Sequence, residues 1–243
     1  MCCFSPPVNR VESTKIFARM RAPGRQVLVY QMSVQADSAV AMILPIPVPP
    51  RSSDDAVRFI SLERYPELFD HLHQAFPVMR SMPAGGPISG GPPRPLAVHS
   101  VGAFVASFVP TQRDFDRLDP RFRIPRGTLD GVSEYSDWGF AVFQLDVKPN
   151  AITKVHPMAF ELATRDPERI FFPTVHVHDG QLHDKARFSH ELYAQGITAD
   201  GWRTISSIRT VDESRAEGLV DCAGTLSRLA LHGEHPNRDV WVS

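Results

Sequence analysis

Three histidines lie close together in the segment TVHVHDGQLHD, residues 174–184. The Asp179-Gly180 pair in its middle predicts a two-residue type I' hairpin turn, because both central residues of that turn need positive φ and Asp-Gly adopts it at low cost. Side chains that lie opposite each other, or two apart on one strand, point to the same side of a hairpin. The histidines that share one face in this register are His176, His178 and His183.

Three imidazoles on one face are typical of a catalytic zinc site with an open fourth position, and they also suit copper or iron. We therefore predict one bound metal ion, with copper or zinc favoured over iron. Two other interpretations stay open, namely a solvated polar face of an ordinary hairpin and a site that handles protons or substrate. His190, which precedes Glu191, is a candidate for an additional ligand.

The N-terminal sequence MCC suggests a second kind of chemistry. Removal of Met1 would leave Cys2 with its own α-amine, which has a low pKa and could act as general base for a cysteine nucleophile. The same amine and thiolate could instead chelate a metal ion beside the imidazoles. Cys3 could be a second sulfur ligand, a resolving thiol or a buried residue. The alternative is an ordinary chain start with two thiols of no function.

Together these residues favour a metal-dependent enzyme with a mononuclear copper, zinc or iron centre, and a copper oxidoreductase in particular. The catalytic candidates are Cys2 and Cys3, and the metal-ligand candidates are His176, His178, His183 and Cys2. One alternative is an amidohydrolase that uses Cys2 as an N-terminal nucleophile without a metal. The other is a non-catalytic binding protein in which a Pro/Gly-rich loop contacts a partner.

The overall composition limits the partners. The net charge is -1, from 26 Lys and Arg against 27 Asp and Glu, which argues against a nucleic acid or an anionic membrane as the main partner. No apolar run approaches the roughly 20 residues that cross a bilayer, and the start MCCFSPPVNR does not look like a secretory leader. We expect a cytoplasmic protein that acts on a small-molecule substrate and could form a homo-oligomer.

The elements that must position these residues are mostly strands. Alternating patterns with many β-branched and aromatic residues predict a mainly β (α+β) fold with antiparallel sheets. The predicted strands lie within 14–21, 25–34, 38–47, 99–109, 137–147, 155–164 and 169–178. The links APGRQ, 22–26, and VKPNA, 147–151, look like hairpin turns. Helical spacing of apolar residues predicts a helix within 64–76 and another within 211–234, with Cys222 on its buried stripe.

The domain organisation depends on one Pro/Gly-rich loop, residues 77–97, which we interpret as a lid or a linker. We predict a single β-rich domain, 1–243, with a possible division into 1–76 and 98–243 around this loop. Residues 27–34 and 140–147 share Val, Gln and Val at equal spacing, which suggests two similar halves.

A family resemblance is carried by CCFSPPVNRVESTKIFARM, VLVYQMSVQADSAVAMILPIP and WGFAVFQLDVKPNAITKVHPMAFELATRDPERIFFP. These stretches resemble an uncharacterised bacterial domain-of-unknown-function family. Its members begin with a cysteine-rich segment and continue with a strand pair that ends in a proline-rich motif and with a later FAVF strand. The family implies no activity and directs attention only to Cys2 and Cys3.

Overall fold

The structure is a computed structural model that describes residues 2–53, 56–77, 99–101, 105–124, 127–129, 131–149 and 151–243, with only the backbone for Cys2 and residues 99–101. The first strands are β1 Cys2–Ser5, β2 Arg10–Ala22, β3 Arg25–Gln35, β4 Val40–Ile46, β5 Val57–Ser61, β6 His99–Val101, β7 Val105–Val109 and β8 Gly139–Leu145. The later strands are β9 Thr153–Val155, β10 Met158–Ala163, β11 Ile170–Phe172, β12 His176–Val177, β13 Lys185–Gln195, β14 Arg203–Ile205, β15 Leu226–Pro236 and β16 Val240–Val242. The helix α1 spans Leu68–Gln74, and short 3-10 turns cover Gln112–Arg117, Pro120–Phe122 and Ser133–Asp137.

Two large sheets dominate the fold. The first has the strand order β12-β1-β4-β8-β7, and the second has the order β14-β15-β13-β2-β3-β10-β5, with β9 on β3 and β6 on β9. A small sheet pairs β11 with β16. Most neighbouring strands are antiparallel, whereas β1 with β12, β13 with β2, and β6 with β9 are parallel. The mainly β, largely antiparallel fold class predicted from the sequence is confirmed.

The hairpin of β2 and β3 forms where the sequence predicts it. The two strands pair from Arg10 with Gln35 to Ala22 with Arg25, and Gly24 in the turn has φ +69°. A positive φ costs glycine little because it has no Cβ. The prediction of a turn at APGRQ is therefore confirmed.

The alternation along β3 divides its side chains between two hydrophobic cores. Leu28 and Tyr30 belong to the larger core, which also contains residues of β4 and β8. Val27 and Val29 point to the other side and pack in a smaller core with α1. Successive residues of a strand face opposite sides of the sheet, so one strand contributes to both cores. Burial of each such side chain stabilises the fold by roughly 1.5–3 kcal/mol.

The helix α1 covers the outer face of the second sheet. Leu68, Phe69, Leu72 and Phe76 are all buried, as their helical spacing predicts. Phe69 and Phe76 contact the ring of Tyr193 on β13, with centroids 5.9 and 6.3 Å away. The predicted helix within 64–76 is confirmed.

The predicted C-terminal helix is wrong. Glu217 and Gly218 have φ of 52° and 65°, which a right-handed helix does not accommodate. From Leu226 onward the chain pairs with β13 over eleven residues as β15. Cys222 lies in the turn before β15 and is half-buried, with its sulfur 3.6 Å from the carbonyl oxygen of Val211. Leu219 and Leu226 are buried as predicted, but Leu219 lies in a turn and Leu226 in a strand instead of in a helix.

The link VKPNA does not close a hairpin either. It leaves β8 in the first sheet, and the next strand, β9, belongs to the second sheet. The prediction of a hairpin turn at this link is therefore wrong, because turn-forming residues also suit a connection between sheets.

The domain predictions depend on residues that the structure describes only in part. Of the Pro/Gly-rich segment 77–97, only Pro77 is among the described residues, so the lid or linker interpretation stays a prediction. Strands from both sides of this segment pair within each large sheet. The segments 27–34 and 140–147 lie mainly in β3 and β8, in different sheets, and the duplication stays a prediction. Among the described helices, none has the length and apolar character to cross a membrane.

Candidate functional site

The histidine segment 174–184 does not fold as a two-residue hairpin. Its strand β12 consists of His176 and Val177 alone and pairs in parallel with β1, with Cys2 beside His176. The next strand, β13, pairs with β15 and β2. Gly180 has the positive φ expected of Asp-Gly, +82°, but no strands pair across it. The predicted register, and with it the shared face of three histidines, is wrong.

Two polar side chains after β15 hold this segment instead. Asp239 Oδ1 accepts hydrogen bonds from the backbone N–H groups of Thr174 and Val175, at 2.8 and 3.0 Å. Asn237 Oδ1 accepts from the N–H of His176 at 2.7 Å. The Asn237 amide also donates to the carbonyls of His176 and His183, at 2.9 and 3.0 Å. Side chains thus occupy backbone groups that a hairpin partner strand would otherwise bond.

His176 lies at the centre of a stack of rings. Its ring is nearly parallel to those of His178, Phe188 and His190, with centroids 4.7, 4.5 and 4.8 Å away and interplanar angles of 21°, 26° and 28°. The Nε2 atoms of His176 and His190 are 3.2 Å apart. His178 also meets the ring of Phe4 of β1 edge-on at 5.6 Å. The stack therefore joins the N-terminal strand, β12 and β13. We call His176, His178 and His190 the histidine stack.

Burial decides the protonation of the stack. Desolvation, followed by the neighbouring His178, lowers the pKa of His176 to about 3. Burial also holds the pKa of His190 well below its ordinary value of 6.5, with the nearby His176 as the next cause. Both rings are therefore neutral at pH 7. One Nε2 must then carry a hydrogen and donate it to the other, because two lone pairs would repel at 3.2 Å.

His183 lies apart from the stack. Its Nε2 is 2.8 Å from the Asp179 carboxylate, and both side chains are more than half exposed. The same carboxylate accepts a hydrogen bond from the N–H of Gln181 at 3.0 Å and thereby closes the turn around Gly180. The structure brings together His176 and His178 and adds His190, but it excludes His183.

The structure does not support the metal centre predicted from the sequence. Within the described ranges, no three His, Cys, Asp or Glu side chains are arranged to hold a metal ion. The metal-binding copper or zinc oxidoreductase interpretation is therefore corrected. The individual ligand roles of His176, His178, His183 and Cys2 stay predictions.

The two cysteines at the start differ in what the structure describes. Cys3 is only 1% exposed and pairs with Ile43 on β4 and with Val177 on β12. A buried core residue, one of the roles considered for Cys3, is what the structure shows. Its roles as a catalytic thiol and as a sulfur ligand stay predictions. The thiol of Cys2 lies outside the described side chains, so its role as a nucleophile stays a prediction.

A cavity of about 860 Å³ lies on the other side of the histidine segment. Aromatic rings of Tyr135, Trp138 and Trp241 line it, together with Leu182 and Asn237. Residue spacing does not reveal this cavity, because its walls come from described residues of three segments that are distant along the chain, 127–129 with 131–138, 175–184 and 236–241.

The Tyr135 hydroxyl at this cavity donates a hydrogen bond to Asp239. Burial, together with the negative charge of Asp239, raises the pKa of Tyr135, so its hydroxyl stays protonated and acts as a donor. Asp239 therefore connects the cavity wall to the segment that carries the histidine stack.

No family model matches the chain, and no curated protein does either. Among solved structures, the crystal structure of baculovirus P35 superposes over 100% of this chain and 99% of its own, with a TM-score of 0.54 and 13% sequence identity. The chain is similar in fold to baculovirus P35. A mutated P35 after caspase cleavage covers 98% of this chain at a TM-score of 0.48 and 14% identity. P35 in its complex with caspase-8 covers 96% at a TM-score of 0.45 and 12% identity.

This comparison corrects the sequence prediction of the partner. P35 has been crystallised with caspase-8 and after cleavage by a caspase, so the partner recorded for P35 is another protein. The small-molecule substrate expected from the sequence is therefore wrong. Residue spacing does not reveal protein-binding surfaces, because such surfaces have no fixed spacing of the kind that metal ligands have.

Proposed function

We propose that this protein is a non-catalytic binding protein that inhibits a cysteine protease of the caspase class. The observation that carries the proposal is the similarity in fold to P35 along the whole of both chains. P35 itself is cleaved by a caspase and forms a complex with caspase-8. The present chain keeps the complete two-sheet scaffold, so a binding mode that needs the whole fold is available to it.

The scaffold holds the segment that precedes residue 78. Asp70 on α1 accepts from Lys15 on β2 at 3.1 Å and from Lys154 on β9 at 3.4 Å. At the end of the helical region, Arg203 donates to the carbonyl of Pro77 at 3.1 Å, and its guanidinium lies 5.9 Å from the ring centre of Phe76. These contacts fix the position at which the chain leaves the second sheet.

The scaffold also holds the return of the chain. Residues 99–101 form β6, which pairs in parallel with β9 from His99 beside Thr153 to Val101 beside Val155. The same strand β9 carries Lys154, the partner of Asp70 on α1. Asp70, seven residues before Pro77, and residues 99–101 thus both contact β9. Rigid scaffolds commonly carry their binding residues on the segments between such fixed ends.

The charges of residues 78–98 guide the choice of protease. This stretch contains Arg80 and Arg94 but no Asp or Glu. Proteases select their targets by the side chain that fits the pocket beside the cleaved bond. A caspase-class enzyme whose pocket selects arginine could bind this stretch, whereas one whose pocket selects acidic residues would have to bind the protein elsewhere.

The test is a titration of protease activity. Caspase-8 and an arginine-specific caspase-fold protease are each incubated with increasing amounts of the protein, and residual cleavage of a short fluorogenic peptide is measured. We expect the activity of at least one of them to fall to near zero at about one equivalent, while papain, a cysteine protease of another fold, keeps its activity. Full activity of both caspase-class enzymes at a tenfold excess of the protein would contradict the proposal.

A pair of variants separates recognition from general damage. Arg203→Ala removes the hydrogen bond to Pro77, and Arg187→Ala makes the same chemical change at an exposed position of β13. We expect Arg203→Ala to weaken inhibition several-fold and Arg187→Ala to leave it unchanged. Mass spectrometry of the mixtures maps any cleaved bond. Equal inhibition by both variants would show that the anchor at Pro77 does not matter for binding.

A further inference from the structure

The cavity of about 860 Å³ beside the histidine segment has no part in the proposed function. Its volume lies within the roughly 300–1,000 Å³ that ligand sites commonly have. The rings of Tyr135, Trp138 and Trp241 line it, and the two indoles meet at 85° with their centroids 6.2 Å apart. Trp241 is half-buried, whereas the other two rings are buried, so its indole is the most accessible of the three. The cavity therefore combines the size of a ligand site with an aromatic wall.

The two indoles already hold arginines of this chain. The guanidinium of Arg165 lies 5.6 Å from the ring centre of Trp138, and that of Arg169 lies 4.8 Å from the ring centre of Trp241. The face of an aromatic ring is electron-rich and attracts cations. Both arginines also form ion pairs with nearby aspartates, at 2.8 and 2.7 Å, so these pairs add no net charge to the cluster. The same rings thus suit guanidinium groups.

The charged residues that line the cavity also favour a cation. They comprise three carboxylates, from Glu134, Asp184 and Asp239, against the two basic side chains of Arg238 and His183. The described lining therefore keeps a negative excess whether or not His183 is protonated. Glu134 and Asp184 are exposed, so their carboxylates are accessible to a ligand. Concave surfaces lined by an excess of one charge concentrate ligands of the opposite charge.

Arginine is the side chain that fits both features. Its guanidinium is planar, stacks on aromatic rings and donates several hydrogen bonds to carboxylates, whereas the lysine ammonium is a compact and strongly hydrated point charge. Three glycines also line the cavity, namely Gly127, Gly131 and Gly180. A Cβ added to Gly180 would meet no atom within 4 Å, so there is open space at this wall. The main chain on either side of a bound arginine has room there, because glycine lets another backbone approach closely.

We propose that the cavity binds an arginine side chain carried by an extended peptide segment of a partner protein. The guanidinium lies against the accessible part of the Trp241 ring and donates to the carboxylates of Glu134 and Asp184. The flanking main chain of the peptide follows the open wall at Gly180. The inference concerns the cavity alone and does not depend on the proposed protease partner.

Tryptophan fluorescence tests this binding on the full chain. The protein has three tryptophans, and two of them, Trp138 and Trp241, line the cavity. The variant Trp202→Phe therefore leaves only cavity indoles as emitters. A capped pentapeptide with arginine at its centre, flanked by alanine and glycine, is titrated into this variant. We expect a saturable change in emission, and calorimetric titration of the unaltered chain with the same peptide should give the same affinity.

A matched peptide with citrulline in place of arginine isolates the role of the charge. Citrulline has nearly the shape of arginine but is neutral, so it loses the attraction to the rings and to the carboxylates. We expect the citrulline peptide to bind at least tenfold more weakly. Free N-acetylarginine amide, which lacks the flanking main chain, should also bind at least threefold more weakly than the arginine peptide.

Two variants with little change in shape locate the site. Glu134→Gln and Asp184→Asn each remove one negative charge from an exposed side chain of the cavity. We expect each to weaken binding of the arginine peptide at least threefold and to leave binding of the citrulline peptide unchanged. The control Glu63→Gln makes the same chemical change at an exposed position that does not line the cavity, and it should bind like the unaltered chain.

The proposal would be overturned if the arginine peptide showed no saturable binding, or if the citrulline peptide bound equally well. It would also be overturned if Glu134→Gln and Asp184→Asn had no more effect than Glu63→Gln, since the peptide would then bind elsewhere. Equal affinity for N-acetylarginine amide would contradict a peptide segment as the occupant. These measurements contain no protease, so their outcome is separate from that of the inhibition assay.

Discussion

The two ends of the segment 174–184 have opposite environments although only seven residues separate His176 from His183. The ring of His176 lies between other rings in a stack from which water is largely excluded. His183 is 57% exposed, and its Nε2 lies 2.8 Å from the carboxylate of Asp179, four residues away. Identical side chains in one short segment therefore differ in burial and in energetic importance, because the surrounding strands and not the spacing decide which ring is buried.

The largest effect is expected from the carboxylate that anchors the buried end. Asp239→Ala would leave the N–H groups of Thr174 and Val175 and the hydroxyl of Tyr135 without their acceptor. We expect a loss of about 3 kcal/mol or more in the free energy of unfolding, since each such group costs roughly 1–3 kcal/mol. Urea denaturation measures this loss. The matched change at the exposed end, Asp179→Ala, should cost less than about 1 kcal/mol.

Stability should also depend on pH through the buried end. The folded-state pKa of His176 is about 3, and that of His190 is likewise lowered, whereas an unfolded histidine titrates near 6.5. Below pH 6.5 the unfolded chain therefore binds protons that the folded chain refuses, and stability falls as the pH decreases. Between pH 6.5 and 5.0 we expect a loss of about 2 kcal/mol for one such histidine.

Chemical denaturation at several pH values checks this dependence. The double variant His176→Gln with His190→Gln should flatten the curve above pH 5, where most carboxylates are still ionised. An unchanged slope in that variant would show that other groups bind the protons.

A smaller effect is expected from two glycines that have similar backbone angles in different settings. Gly24 has φ +69° in the β2–β3 hairpin, and Gly180 has φ +82° in the turn after the histidine stack. A Cβ added at either position would meet nothing within 4 Å, so only backbone strain remains. We expect Gly24→Ala and Gly180→Ala each to lower the melting temperature by a few degrees, which corresponds to about 1 kcal/mol. A much larger loss at one site would contradict the view that both turns are open.

The smallest effect is expected from the exposed histidine. His183→Ala removes a contact with the Asp179 carboxylate in which both side chains are more than half exposed. Pairs of this kind contribute roughly 0–1 kcal/mol, so we expect less than about 0.5 kcal/mol in denaturation. A loss of several kcal/mol at His183 would contradict the contrast between the two ends of the segment.

The turns at Gly24 and Gly180 also show which features of the fold could be predicted from the sequence. Both positions carry turn residues between alternating strands, but only β2 and β3 pair across their turn. The residues after Gly180 pair instead with β15 and β2, which lie far away in the sequence. Strand positions, the helix α1 and the mainly β class follow from local periodicity. Which strands pair with each other depends on segments that are distant in the sequence. The local periodicity of one segment does not reveal its pairing partner.

The candidate site was predicted in part for the same reason. His176 and His178 are two apart on one segment, so their proximity follows from the sequence. His190 joins them because β13 runs past β12, and His183 leaves them because no hairpin forms. The prediction of a C-terminal helix is wrong for a similar reason, since the apolar spacing around Leu219 and Leu226 also suits a turn and a strand that both face the core. The P35-like fold itself became visible only from the arrangement of the strands.

The most direct test of the proposed function is native mass spectrometry of the protein mixed with a caspase-class protease. Caspase-8 and an arginine-specific caspase-fold enzyme are each mixed with the full chain at equal concentrations, and the masses of intact assemblies are recorded. We predict an intact complex that contains one copy of the protein for each protease active site. We expect the protease in this complex to be inactive. The contradicting result is that neither mixture contains a complex. Only the masses of the free protease and of the intact or degraded protein would then be recorded, which would contradict a non-catalytic protease-binding function.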